Sequence, residues 1–278
     1  MGPILLVLVT LLVIGYLVSG PFLAERRRRK IRERPFPSAW SAILERRVPY
    51  VRRLPAPLRR QLEQHIQVFI AEKPFIGCDG QVIDDEVRVT IAAQACLLIL
   101  NRKPDYFPTL SQVLVYPSAF IVERVRAEPS GILQEERNAL SGESWTHGQV
   151  VLSWEDTLQG AAIDHDGRNV VIHEFAHQLD QQKGYANGAP YLGGRDRYPQ
   201  WSAVLGHEFA LLQQRSMSGE PPLILSYYGA TNPAEFFAVA SEVFFEQPAA
   251  MATLHPALYD ELKKLYRIDP LAWPGSAQ

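Results

Sequence analysis

The stretch VVIHEFAHQLD occupies residues 170–180. It places His173 and His177 four positions apart, one turn apart on the same face of a helix. At that spacing two imidazole nitrogens reach one ion at the roughly 2.0–2.1 Å that zinc requires. Glu174 lies about 100° further round the axis, within reach of a water activated by the ion rather than of the ion itself. This is the HExxH pattern. Val170, Val171, Ile172, Phe175 and Leu179 supply the apolar positions that bury such a helix. Asp166-Gly167 offers a turn or cap ahead of it, and Gly184 suits its C-terminal end. A catalytic zinc keeps three protein ligands and one open position, so a third donor must come from elsewhere in the chain.

No histidine follows at the HExxHxxGxxH spacing, and His207 and His255 match no ligand pattern. The best source is SYYGATNPAEFFAVASEVFFE, residues 226–246. Asn232-Pro233 starts a helix there, with Glu235 in its first turn and Glu242 seven residues on, nearly the same face. Glu235 also fits as the last member of a capping box opened by Asn232. On residue chemistry alone, Glu235 and Glu242 are equal candidates. Asp180 shares the face of His173 and His177, where it either orients a ligand histidine or faces solvent. Asp164, His165 and Asp166 read as loop and helix-start residues.

Outward from this centre, helical spacing covers 56–72, 84–101, about 167–183, 199–215, 233–247 and 256–266. Segment 111–122 reads as extended, broken at Pro117, and 149–154 reads as a strand. The Gly, Asn and Pro residues of 184–199 make a long loop. The pattern predicts one α+β domain, mostly helical with a small sheet, over 37–270, with a tail at 271–278. Hydrophobic residues at 47% and charged residues at 21% exclude a disordered or fibrous chain. Two cysteines, Cys78 and Cys96, exclude a disulfide framework and a cysteine-rich zinc site. Cys96 falls inside an apolar helical run, so core packing is its expected role.

Residues 3–23 contain no charge and would span about 31 Å as a helix, the thickness of a bilayer core. Seven basic residues and two acidic ones fall within 1–34, the basic cluster following the apolar run. The rest of the chain holds 21 basic against 28 acidic residues, an acidic body that argues against nucleic-acid binding. A single-pass anchor over 1–24, a basic juxtamembrane linker over 25–36 and a catalytic domain in the cytoplasm, at the inner membrane, are expected. A cytoplasmic location is the alternative, with the apolar helix packed on the body.

The segments FIGCDG (75–80), DDEVRVTIAAQACLLIL (84–100), LSGESW (140–145), VVLSWED (150–156), DGRNVVIHEFAHQLD (166–180) and YGATNPAEFFAVASE (228–242) resemble the Mlc titration factor A family of zinc-dependent peptidases. HEFAHQLD and YGATNPAEFF are also similar to the catalytic domain of anthrax lethal factor, a gluzincin. The resemblance implies a zincin-like metallopeptidase domain with one zinc held by His173, His177 and Glu235. It implies Tyr228 as the catalytic tyrosine beside Glu174 as general base. A peptide or protein substrate follows, and strand 149–154 is a candidate edge for an extended peptide. The alternative implied by the family name is a regulatory binding protein that sequesters a transcriptional repressor.

Overall fold

The computed structural model describes residues 20–102, 105–127, 133–140, 142–145 and 148–274. Most of the apolar run expected to span the membrane therefore lies outside the described residues. Among the described residues, no helix is long and apolar enough to cross a membrane.

Four strands form one sheet in the order β1 (Phe75–Gly77), β2 (Gln112–Tyr116), β6 (Gln149–Ser153), β5 (Gly142–Trp145). The first three run parallel, and β5 is antiparallel to β6, with Gly142 opposite Leu152. Strand β6 thus has a neighbour on each side and cannot accept a further strand. Among the described residues the open edge on that side is β5, which corrects the expectation that 149–154 would take a peptide. Strands β3 (Phe120–Ala127) and β4 (Leu133–Leu140) form a separate antiparallel pair ahead of β5.

The helices pack on this sheet around one continuous apolar core. Helix α3 (Ala56–Glu72) follows the predicted spacing, and the almost wholly buried α4 (Asp85–Leu97) does so but stops four residues short of the expected end at 101. Asp84 caps α4 by accepting from the Val87 N–H at 2.9 Å. Ser153 ends β6 and caps α5 (Trp154–Ala162), so the strand stops one residue short of the expected boundary. Helix α6 (Val170–Asp180) starts at its cap Asn169, later than the expected 167. Helices α7 (Tyr198–Ser218), α8 (Pro233–Glu246), α9 (Pro248–Leu254) and α10 (Pro256–Tyr266) complete the fold. Helices α2 (Ser38–Arg47), α5 and α9 fall outside the expected helical segments; α5 and α9 are short, nine and seven residues. The tail also begins later than expected, because Trp273 is buried in the core. Cys96 is buried in α4, and burial pushes its thiol pKa well up.

The basic segment expected as a linker is helical. Residues 20–32 form α1, which lies on the body. Arg28 makes two hydrogen bonds to Glu72 at the end of α3, each 2.8 Å, and its guanidinium sits 4.8 Å over the Tyr106 ring. Ile31 is buried. Tyr106 in turn meets the buried His65 of α3, Oη to Nδ1, at 3.0 Å. Burial, aided by the Arg32 charge, lowers the His65 pKa from 6.5 to about 4.

This shift has a definite sign. Between pH 6.5 and 4 the unfolded chain protonates His65 and the folded chain does not, so stability falls as pH drops through that window. The loss attributable to this residue is about 3 kcal/mol when complete. Denaturant unfolding at pH 7.5 and 4.5 should show a steeper pH dependence for wild type than for His65→Gln. Equal slopes would show that His65 titrates normally in the folded state.

Candidate active site

Helix α6 is buried over nearly its whole length, held between α4, α8 and the β5–β6 edge. The Asn169 side chain accepts from the Ile172 N–H at 3.0 Å and donates to the Gly160 carbonyl at 3.0 Å, which fixes where the helix begins. His173 and His177 then point towards α8. Asn232 caps that helix by accepting from the Ala234 and Glu235 N–H groups, at 2.9 and 3.0 Å.

Glu235 Oε2 lies 3.0 Å from His173 Nε2 and 3.2 Å from His177 Nε2. These three donor atoms all fall within 4.8 Å of one another, and His173, His177 and Glu235 form the one such group among the described residues that could hold a metal ion. Glu242 stands elsewhere. Its Oε1 accepts from His173 Nδ1 at 2.8 Å, and its other oxygen takes the Asn169 backbone N–H. The two residues left open by sequence therefore divide the work: Glu235 faces the shared point, and Glu242 holds the back of His173.

The donor set suits a cation. With its Nδ1 proton directed at Glu242, a neutral His173 turns a lone pair at Nε2 towards Glu235 Oε2, acceptor against acceptor. A positive charge makes that contact attractive, whether a proton on His173 Nε2 or a metal ion shared by the two groups. Burial alone would lower the His173 pKa, but Glu242 and Glu235 outweigh it and raise it well above the ordinary value. Burial raises the Glu235 pKa, yet its hydrogen bonds to both histidines bring it far below the usual carboxylate range. Two nitrogens and one carboxylate oxygen are a known zinc ligand set.

Glu174 is 4% exposed, and burial pushes its pKa up to about 7. Tyr228, on the turn Tyr227–Ala230, is 53% exposed, with its ring centroid 5.7 Å from that of His173. A cavity of about 380 Å³ opens beside Glu174, His173, Tyr228 and Gly142. Strand β5 passes directly over Glu174. A Cβ built on Gly142 would lie 2.7 Å from Glu174 Oε1 and 2.6 Å from Val170 Cγ2. Gly142→Ala is expected to displace the Glu174 carboxylate, readable as a changed Glu174 position in a structure of the variant; an unmoved Glu174 would show that the strand yields instead.

Sequence reasoning missed three features here. Glu246 accepts from the Gly167 and Arg168 N–H groups, both at 3.0 Å, and from Asn169 Nδ2 at 3.1 Å, clamping the segment that leads into α6. Its signal was present, since Glu242 and Glu246 are four residues apart on α8. Gly142 carried no signal of its own. Asp180 neither orients His177 nor faces solvent. Its carboxylate accepts from the N–H groups of Asn187, Gly188 and Ala189 at 2.8, 2.6 and 3.0 Å, which ties down the long loop. Gly188, at φ +78°, sits so close to α8 that a Cβ would lie 2.4 Å from the Pro233 carbonyl. Asp164 pairs with Arg53 at 2.6 Å, and Asp166 accepts from the Arg168 N–H at 2.9 Å. His255 pairs with Glu208 at 2.7 Å, remote from the α6 histidines.

A buried HExxH helix faced by a glutamate from a second helix is the site of a metallopeptidase-type domain, and the comparisons agree. The model of the glucose-regulated metallo-peptidase M90 family matches residues 22–267, and the chain belongs to that family. Among relatives, an uncharacterized protein of Synechocystis sp. is 40% identical over 273 residues, covering 98% of this chain and 99% of its own. The Mlc titration factor A of Yersinia pestis is 33% identical over 227 residues, covering 81% of this chain and 83% of its own. The same identity and coverage hold for the Mlc titration factor A of Yersinia pseudotuberculosis.

Proposed function

We propose that this protein is a zinc-dependent peptidase in which His173, His177 and Glu235 hold the metal. The convergence of both Nε2 atoms on Glu235 Oε2 is the observation that carries this reading. A zinc ion bound there supplies Lewis acidity, polarising a peptide carbonyl and acidifying water towards neutral pH. The chain's own residues do the rest. Glu174, buried beside the two histidines, takes a proton from the attacking water and returns it to the leaving amine. Tyr228 lends its hydroxyl to the oxyanion that develops on the substrate carbonyl. Glu242 fixes the tautomer and orientation of His173. The open edge of β5 receives an extended peptide as an added strand, with its backbone groups beside Glu174.

Elemental analysis and a mixed peptide library test this directly. Wild type should carry about one zinc per chain. Hydrolysis should cease on chelation and return with zinc. A well-folded protein with neither zinc nor hydrolysis would overturn the reading. A second reading, regulatory capture of a repressor protein, draws on the name of the Yersinia relatives, a titration factor of Mlc. It needs no proton acceptor at Glu174, so it separates from the first at that residue.

A further inference from the structure

A second cavity, of about 740 Å³, lies between α1, α3 and the C-terminal end of α6. Among the described residues its lining includes Arg28, Arg32, Arg102, Arg197 and Arg267 against two carboxylates, Glu25 and Asp105. Arg28 and Arg32 already pair with Glu72 and Glu25. The others are less well served. Arg102 Nη1, Arg197 Nη2 and His65 Nε2 are all buried without a hydrogen-bond partner among the described residues. Glu261 Oε2 lies 3.8 Å from Arg197 Nη2, beyond hydrogen-bond reach. Burial, and then the like charge of Arg267, lower the Arg102 pKa.

Tyr106 Oη accepts from Arg32 Nη1 at 3.5 Å and lies 3.0 Å from His65 Nδ1. In the tautomer that takes the Tyr106 hydroxyl hydrogen at Nδ1, a neutral His65 carries its proton on Nε2. That atom has no hydrogen-bond partner among the described residues, in a residue only 3% exposed. Arg102, Arg197 and His65, each with an unpaired buried nitrogen, line one cationic cavity, whose chemistry suits a ligand with several acceptor oxygens and negative charge. Guanidinium forks and a neutral N–H match phosphate.

We propose that this cavity binds a phosphate group carried on a larger molecule. The volume exceeds what a lone phosphate fills and falls in the range of small-molecule sites. Two sources share this chemistry: a soluble phosphorylated metabolite and the headgroup of an anionic phospholipid. Pro21 and Ala24 line the cavity at the end of the apolar run 3–23, which brings the second source into reach. Leu179 and Gln182 also line it, so the ligand would bear on the end of the helix that carries His173 and His177.

The test uses the full chain in neutral-detergent micelles, titrated calorimetrically with pyrophosphate and, separately, with phosphatidylglycerol in the same micelles. At least one probe should bind wild type. Arg102→Gln/Arg197→Gln should weaken that binding by roughly tenfold or more. Arg26→Gln/Arg27→Gln should leave it unchanged, since those residues line a different hollow on α1. Binding of pyrophosphate assigns a soluble ligand, and binding of the lipid alone assigns a headgroup. Should the double variant fail to fold, Arg102→Lys, which keeps the charge and removes the fork, makes the same comparison. No binding of either probe to wild type overturns the proposal. So does binding that Arg26→Gln/Arg27→Gln abolishes and the Arg102 variants leave intact.

Discussion

Glu174→Gln is expected to lower the rate of peptide hydrolysis by about 10³-fold while the protein keeps its metal and its fold. The change removes one exchangeable proton site and almost no volume. Glu174 sits in a dry position, 4% exposed, between β5 and the two histidines, with a pKa pushed by burial to about 7. A carboxylate so placed accepts a proton from water and gives it up again near neutral pH. An amide does neither. The helix is unaffected, because its packing rests on Val171, Ile172, Phe175 and Leu179. Single-turnover rates on a cleavable peptide, measured with metal content on the same samples, decide the matter. A rate within tenfold of wild type would remove Glu174 from the chemistry. An undiminished effect of the variant in cells would move the protein to the regulatory-capture reading.

The second large effect separates the two glutamates of α8. Glu235→Gln should empty the site at micromolar free zinc and abolish hydrolysis, because a neutral amide replaces the carboxylate that both Nε2 atoms face. Glu242→Gln should weaken zinc binding by about 10- to 100-fold, and excess zinc should restore hydrolysis. Its loss frees the back of His173 without removing a ligand. Zinc affinity by competition with a chromogenic chelator reads both. Retention of zinc by Glu235→Gln with loss in Glu242→Gln would reverse the assignment.

The metal-facing half of the site was legible because it is local. Four-residue spacing fixes His173 and His177 on one face wherever the helix lies. The choice between Glu235 and Glu242 was not legible from residue chemistry. Both look towards α6, and only the stagger of two helices more than fifty residues apart sets one against Nε2 and the other against Nδ1 of His173. Family resemblance supplied what spacing lacked. The sheet edge failed for the same reason. Strand β6 reads well as a strand, but that β5 covers it depends on pairing order, which no single segment encodes. Strand β1 has three residues, too few for any periodic signal. Helix α1 was hidden by its own composition, since a basic run reads as solvated until Glu72 and Tyr106 are seen beside it.

Helix α8 presents Glu235, Glu242 and Glu246 to three separate places on and just ahead of α6. One rigid rod thus sets three distances at once. Substitutions along it at positions other than these three glutamates leave the three distances unchanged. Insertions do not, because each added residue rotates everything beyond it by about 100° and shifts it by about 1.5 Å. A single residue inserted between Phe236 and Ser241 would leave Glu235 in place and swing Glu242 and Glu246 off their partners together. The eleven-residue step from Glu235 to Glu246 is therefore a fixed length, a ruler against which the metal site is cut.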